Sequence, residues 1–232
     1  MPHPLPANGI PPAVLAHDVE TLQVAELYRN IPVGAGSALL GTFLCVLVLA
    51  EGGLGEKHVA WLGYGIVVAI LRLGLCWAYR SGALALDSRD WGRLAVLGNF
   101  LAGIQWGLLG TWLFPDEPGP LQNFAIMVIT CYVGGSITAY APVRWAHPAL
   151  SIPATVPSTV HIFFFESGPH PLSGFMAFFF VGMVLFYAFR ETEAVAQRLR
   201  ADTRIRRKLR DLEADARRMP LYTGPGPGPR RS

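Results

Sequence analysis

Arg72 is the residue whose chemistry stands out first. It is the only formal charge inside six apolar runs, residues 33–50, 59–79, 94–114, 121–141, 146–165 and 172–189. An arginine at the centre of a bilayer costs roughly 2.5–3.5 kcal/mol on insertion scales, so the guanidinium has to be satisfied somehow. Two readings are open. Its stem can snorkel toward Tyr79, which lies about 10 Å further along a helix. Alternatively it is a buried cation that faces the bundle and holds an anion, a carbonyl or a partner helix. Asn99 and Gln105 of the next run are candidates to hydrogen-bond it, although both equally suit plain helix-to-helix bonds.

The fifth run carries Pro148, Pro153 and Pro157. A proline inside a helix lacks its N–H and frees the carbonyl four residues back, here those of Ala149 and Pro153. Either neighbours satisfy these groups in a kinked helix, or the break is a hinge or a ligand-facing site. In the second case Pro153, Pro157 and the following His161 join Arg72, Gln105 and Asn99 as ligand-sensing candidates.

His58, His161 and His170 map to one side of the runs together with Glu166, with Asp116 and Glu117 on the adjacent loop. Imidazoles beside carboxylates suit a divalent transition metal or pH sensing. Their spacing matches no metal motif, and an ordinary wet loop is the simpler expectation. The sequence contains no nucleophile-elbow GxSxG, no phosphate-cradling Gly loop, no HExxH and no paired intramembrane carboxylates. No catalytic residue and no cofactor is expected.

The elements that must position these residues follow from composition. Of the 232 residues, 52% are hydrophobic and only 15% charged, against about 25% charged in a soluble domain. The six runs make up about half the chain, and each is long enough for a helix to cross ~30 Å of hydrocarbon. What remains in water is too short to build a separate catalytic domain. The expected fold is an all-α membrane protein, a six-transmembrane-helix bundle over 33–189. Small residues four apart, Ser37 with Gly41 and Gly103 with Gly107, let helix backbones approach closely within it.

Flanking segments complete the plan. A Pro-rich arm over 1–17 reads as disordered. Residues 18–31 form an N-terminal interfacial helix with Val19, Leu22, Leu27 and Tyr28 on its apolar face, stopping before Pro32. A long C-terminal cytoplasmic helix covers 190–219, with Ile205, Leu209, Leu212, Ala216 and Met219 in a short heptad seam that favours a coiled coil; a solvated basic helix along anionic headgroups is the alternative. Residues 220–232 are Gly/Pro-rich and read as disordered.

Six crossings place both termini on one side. That side receives seventeen of the nineteen Lys and Arg residues and the other only Lys57, with Arg72 between them. The termini are therefore expected to be cytoplasmic, in a multi-pass membrane protein. Aromatic residues near the run ends, among them Trp61, Tyr79, Trp91, Trp112, Tyr140, Trp145 and Tyr187, are expected at the lipid boundary. The three cysteines fall inside apolar runs, without CxxC spacing, so no disulfide framework is expected.

Four stretches carry a family resemblance: ELYRNIPVG before the first run, WLGYGIVVAILRLGLCWAYR with Arg72, RLAVLGNFLAGIQWGLLGTWLFP, and HPALSIPATVPSTV in the fifth. In order and character they resemble the multi-pass membrane input region of bacterial GGDEF-type diguanylate cyclases and some hybrid sensor histidine kinases. The resemblance covers about residues 20–218. The tail EADARRMPLYTGPGPGPRRS is similar to a distorted DPLTGLPNRR junction, the segment that opens the cyclase domain, with Met219 in place of the leading acid. No GGDEF loop, nucleotide site or phosphoacceptor domain follows in the sequence. The resemblance implies a sensory input module, truncated or stand-alone, with no catalytic output of its own.

Two rivals come from other classes, a small polytopic transporter and a non-catalytic scaffold that pairs with an intact relative. The expected partners are the lipid bilayer, a second copy through the C-terminal helix, and a small-molecule or physical stimulus. Nucleic acid is not expected, because the basic residues gather on one membrane face where anionic lipid is nearer.

Overall fold

A computed structural model describes residues 12–50, 53–116, 119–165 and 171–218, and all regular structure among them is helical. The helices are α1 (Pro12–Leu49), α2 (Glu56–Ser81), α3 (Ser88–Leu109), α4 (Pro120–Gly135), α5 (Ile137–Tyr140), α6 (Ala146–Phe165) and α7 (Pro171–Arg218). Local chemistry sets several of these ends. The Asp87 side chain caps α3 by accepting from Asp90 N at 2.8 Å, Pro120 opens α4, and Gly82 closes α2 in the left-handed conformation at φ 65°.

The helix expected over 18–31, ending before Pro32 and lying on the membrane surface, is instead the first half of α1. Pro32 cannot donate to the Tyr28 carbonyl; the Cys76 thiol of α2 donates to it instead, at 3.3 Å. The freed acceptor is thus satisfied from outside and the helix continues. Val24, Leu27, Ile31, Ala35, Ala38, Thr42 and Cys45 recur every three or four residues and form one buried stripe straight through the proline. Leu22, expected on the apolar face, is exposed. The arm expected to be disordered over 1–17 becomes helical from Pro12, and residues 1–11 lie outside the described residues.

The core is mostly apolar, with Leu27, Trp61, Trp106, Leu109 and Leu150 fully buried, yet many large apolar side chains also lie on the surface. Leu40, Phe43, Leu44 and Leu47 of α1 and Ile66, Val67, Ile70, Leu71 and Trp77 of α2 are exposed, while Thr42, Arg72, Asn99, Gln105 and His147 are buried. Exposed apolar side chains gathered on helix faces mark a surface that meets another apolar phase or partner, and a buried arginine requires partners of its own. Among the described residues, two helical stretches, Val19–Leu49 and Glu56–Ser81, are long and apolar enough to cross a membrane. The aromatics divide: Trp112, Trp145 and Tyr187 are exposed as expected of boundary residues, whereas Trp61, Trp91 and Tyr140 are buried. Trp91 packs edge-on against Tyr28 and Tyr79, which stack on each other at 4.2 Å.

The most extensive helix pairing is α3 on α6. Gly103 and Gly107 make it possible, since a Cβ at either would run into the α6 backbone, at the Leu150 and Pro153 carbonyls respectively. The carbonyl that Pro157 leaves without its helical donor is that of Pro153, and it faces Gly107. The run with three prolines is therefore one helix, Ala146–Phe165, rather than two halves around a break. α7 is continuous over 48 residues, about 70 Å, and packs on α6, α1 and α5. Of the proposed seam, Ile205 is 57% exposed; the side chains of Leu209, Leu212 and Ala216, together with Met219 and the tail 220–232, lie outside the described residues.

Because α6 backbone fills the space beside Gly107, Gly107→Leu is expected to destabilise the detergent-solubilised protein by about 1–3 kcal/mol or more. Gly134, where an added methyl group would meet nothing within 4 Å, is the control. Gly134→Ala should leave the thermal midpoint unchanged or slightly raised.

Candidate functional site

Helical spacing places Gly65, Val68, Arg72 and Cys76 on one face of α2, and that face turns inward. Arg72 is 2% exposed, so the snorkelling arrangement does not occur. Its stem lies along α3, where a methyl on Gly98 would come within 3.2 Å of Cγ. Nη2 donates to Asn99 Oδ1 at 2.9 Å and to the Tyr140 hydroxyl at 2.6 Å. Asn99 Nδ2 passes the connection on to the Ala146 carbonyl at 2.9 Å. The guanidinium carbon sits 5.4 Å from the Tyr140 ring centroid. One cation thereby ties together α2, α3, α5 and the start of α6.

The described ion pairs are Glu26–Arg29, Glu20–Arg89 and Asp90–Arg93, and none reaches Arg72. The acceptors of its Nη2 bonds are neutral, which satisfies that nitrogen's hydrogens but leaves the charge uncancelled. The Tyr132 hydroxyl of α4 lies close enough to interact with both the guanidinium and the Trp106 indole. Neither that hydroxyl nor Trp106 Nε1 makes a hydrogen bond of normal geometry.

Gln105, expected as a partner of Arg72, belongs to a separate node. Its Nε2 donates to Thr42 Oγ1 at 2.6 Å, and its backbone carbonyl accepts from Trp61 Nε1 at 2.7 Å. Thr42 in turn donates to the Ala38 carbonyl at 2.8 Å. Gly65 leaves the room that the Gln105 amide occupies. This second node joins α1, α2 and α3.

A cavity of about 490 Å³ lies between α1 and α4–α5. Gly34, Ser37 and Gly41 supply one wall, Cys131, Tyr132 and Tyr140 another, and Trp106 also lines it. The two tyrosines stand between this space and the guanidinium. What the arrangement offers chemically is a fixed positive potential in a low-dielectric surround, reached through hydroxyl groups, which favours an anion or a carbonyl oxygen.

The remaining sequence candidates stay apart from the Arg72 node. Pro153 packs against Gly103, Pro157 is exposed, and the His161 ring, about four turns along α6 from Ala146, meets the Phe114 ring edge-on at 5.8 Å. His58 keeps Nδ1 buried without a partner. Glu117, Glu166 and His170 lie outside the described residues. Among the described residues, no group of three or more His, Cys, Asp or Glu side chains is placed to hold a metal.

Sequence reasoning missed Thr42, Tyr132 and His147, and it assigned Tyr140 to the lipid boundary. His147 is buried with Nε2 at 3.1 Å from the Val133 carbonyl. Thr42 carries a usable signal, since it falls in register with the buried stripe of α1. Tyr140 carries none, because it lies 68 residues from Arg72 and only the fold brings it close.

No family model, curated protein or solved structure matches this chain.

If Arg72 and Asn99 share the bond described, Arg72→Met and Asn99→Leu should be non-additive in thermal or denaturant unfolding in detergent, with a coupling of about 1–3 kcal/mol. Arg72→Met combined with Gln105→Leu, in different nodes, should add to within about 0.5 kcal/mol. Equal coupling in both pairs would contradict the separation.

Proposed function

We propose that this chain is a membrane sensory module, the signal-input part of a diguanylate-cyclase-like or histidine-kinase-like signalling protein. In this reading the six apolar runs cross the bacterial inner membrane, both termini are cytoplasmic, and two copies pair through the charged half of α7. The exposed apolar faces of α1 and α2 support the lipid setting. The bias of Lys and Arg to one side supports the orientation. Ile205, the first residue of the heptad seam and 57% exposed in a segment rich in charge, supports pairing along α7.

The observation that carries the reading is the continuity of α7. It begins among the apolar helices, packs on the elements that the Arg72 node holds, α5 and α6, and runs on without interruption into the charged segment. A stimulus that alters how Arg72, Asn99 and Tyr140 hold α5 and α6 thus reaches α7 by direct packing, and a stiff helix carries a rotation with little loss. Such a device needs two states that the stimulus binds or stabilises unequally. The module itself is non-catalytic.

The cavity beside Arg72 favours one second reading, a small anion carrier with its site near the mid-plane. Uptake of an organic anion into liposomes, abolished by Arg72→Met, would select it.

The sensory reading is tested by fusing a diguanylate cyclase domain after Arg218 and inserting one to seven alanines between Arg190 and Arg200. Activity should fall at least about tenfold for insertions of two or three residues and recover at seven, because a heptad restores the seam. Activity indifferent to insertion length overturns it. In parallel, periplasm-dependent reporters fused within 53–55, 116–119 and 166–170 should be active, and cytosolic reporters there would refute the six crossings.

A further inference from the structure

At the end of the bundle where α1 passes the start of α3, a second cavity of about 570 Å³ lies away from the Arg72 node. Its size is typical of small-ligand sites, about 300–1,000 Å³. Val24 of α1, Val96 of α3 and Val143 of the α5–α6 connection give it apolar walls. Arg89, Arg93 and Arg144 line it against a single acid, Glu20. Arg89 holds Glu20 only at 3.8 Å. Arg93 shares the neighbouring Asp90 at 2.9 Å. Arg144 belongs to none of the described ion pairs and lies instead over the Trp145 and Phe189 rings, at 5.8 and 6.0 Å.

A trough that is apolar inside and cationic at its mouth complements an amphiphile with an anionic head. We infer that this cavity seats one anionic glycerophospholipid, its phosphate diester at Arg144 and Arg93 and an acyl chain along Val24, Val96 and Val143. The surplus of arginine over acid selects an anionic lipid over a zwitterionic one. The apolar walls select a lipid over free phosphate. Trp145, 57% exposed, is the residue type that anchors at headgroup depth.

The seat also touches α7. Trp145 meets Phe189 edge-on at 5.8 Å, one residue before Arg190, where α7 turns from apolar to charged. A lipid held by Arg144 therefore bears on the helix that leaves the bundle. The inference rests on the membrane reading above, but its readout is binding and does not depend on signalling.

The test uses the full chain, purified in a neutral detergent, and follows thermal unfolding while dioleoylphosphatidylglycerol, dioleoylphosphatidylcholine or inorganic phosphate is added. Phosphatidylglycerol should raise the midpoint and half-saturate at a concentration at least about tenfold below that of phosphatidylcholine, and phosphate should have no effect. Arg93→Gln with Arg144→Gln should remove that preference while leaving the lipid-free midpoint nearly unchanged, because both side chains are exposed and surface pairs contribute little. Val96→Phe, which fills the trough without altering charge, should weaken phosphatidylglycerol binding in the same way. Equal responses to both lipids, full protection by phosphate, or a double variant that responds like the parent would each overturn the inference. A chain that stays soluble without detergent would instead overturn the membrane reading beneath it.

Discussion

A positive charge enclosed among apolar helices, with neutral groups as its hydrogen-bond acceptors, constrains everything packed around it. The Arg72 guanidinium cannot be neutralised by losing its proton, and burying it without partners would be prohibitive. Each acceptor must therefore arrive from a different helix and stay there. Asn99 suits the task because its amide accepts from Arg72 on one side and donates to the Ala146 carbonyl on the other. Tyr140 adds both a hydroxyl and a ring face to the same cation. Displacing α5 breaks a charge-assisted bond to Arg72, and displacing the start of α6 breaks the bond from Asn99 to the Ala146 carbonyl.

The rest of the bundle is built on close backbone approach. In the membrane setting proposed above, apolar side chains gain nothing by leaving lipid, so helices associate through tight packing and hydrogen bonds. Gly103 and Gly107 bring α3 against the carbonyls of α6. Gln105 donates to Thr42 of α1 through its side chain and accepts from Trp61 of α2 through its backbone carbonyl, pinning both helices to α3. The same economy explains the prolines. Pro32 and Pro157 each strip a donor from their own helix, and a neighbouring helix stands against the carbonyl left over: a cysteine thiol at Tyr28 and a glycine face at Pro153. A proline that would end a helix in water is here a place where a second helix docks.

α7 gives these local devices a common outlet. It packs on α1, α5 and α6 along its apolar half, with Val184, Ala188 and Thr192 buried, and continues into a segment crowded with Arg, Lys, Asp and Glu. In the proposed sensory reading, the interior cation and the arginine-rimmed trough act on this one helix from different depths. The first works through α5 and α6, the second through Trp145 and Phe189.

The all-helical character was legible in the residues, because an uncharged run of about 20 residues admits few other structures, and the run 146–165 coincides with α6, whereas the run 121–141 is split at Ser136 into α4 and α5. The isolation of Arg72 as a charge that must be satisfied was legible too, as were Gly103 and Gly107 as points of close approach, since both follow from residue type and spacing along one helix. The extension of α1 through Pro32, the assignment of Gln105 to Thr42 rather than to Arg72, and the recruitment of Tyr140 were decided only by tertiary structure. Each depends on a partner far away in sequence: the Cys76 thiol, the Thr42 hydroxyl, a tyrosine beyond α4. Hydropathy and helical period record what a segment prefers to touch, apolar or polar, whereas the partner that satisfies a particular buried N–H or carbonyl is fixed by which helix faces which.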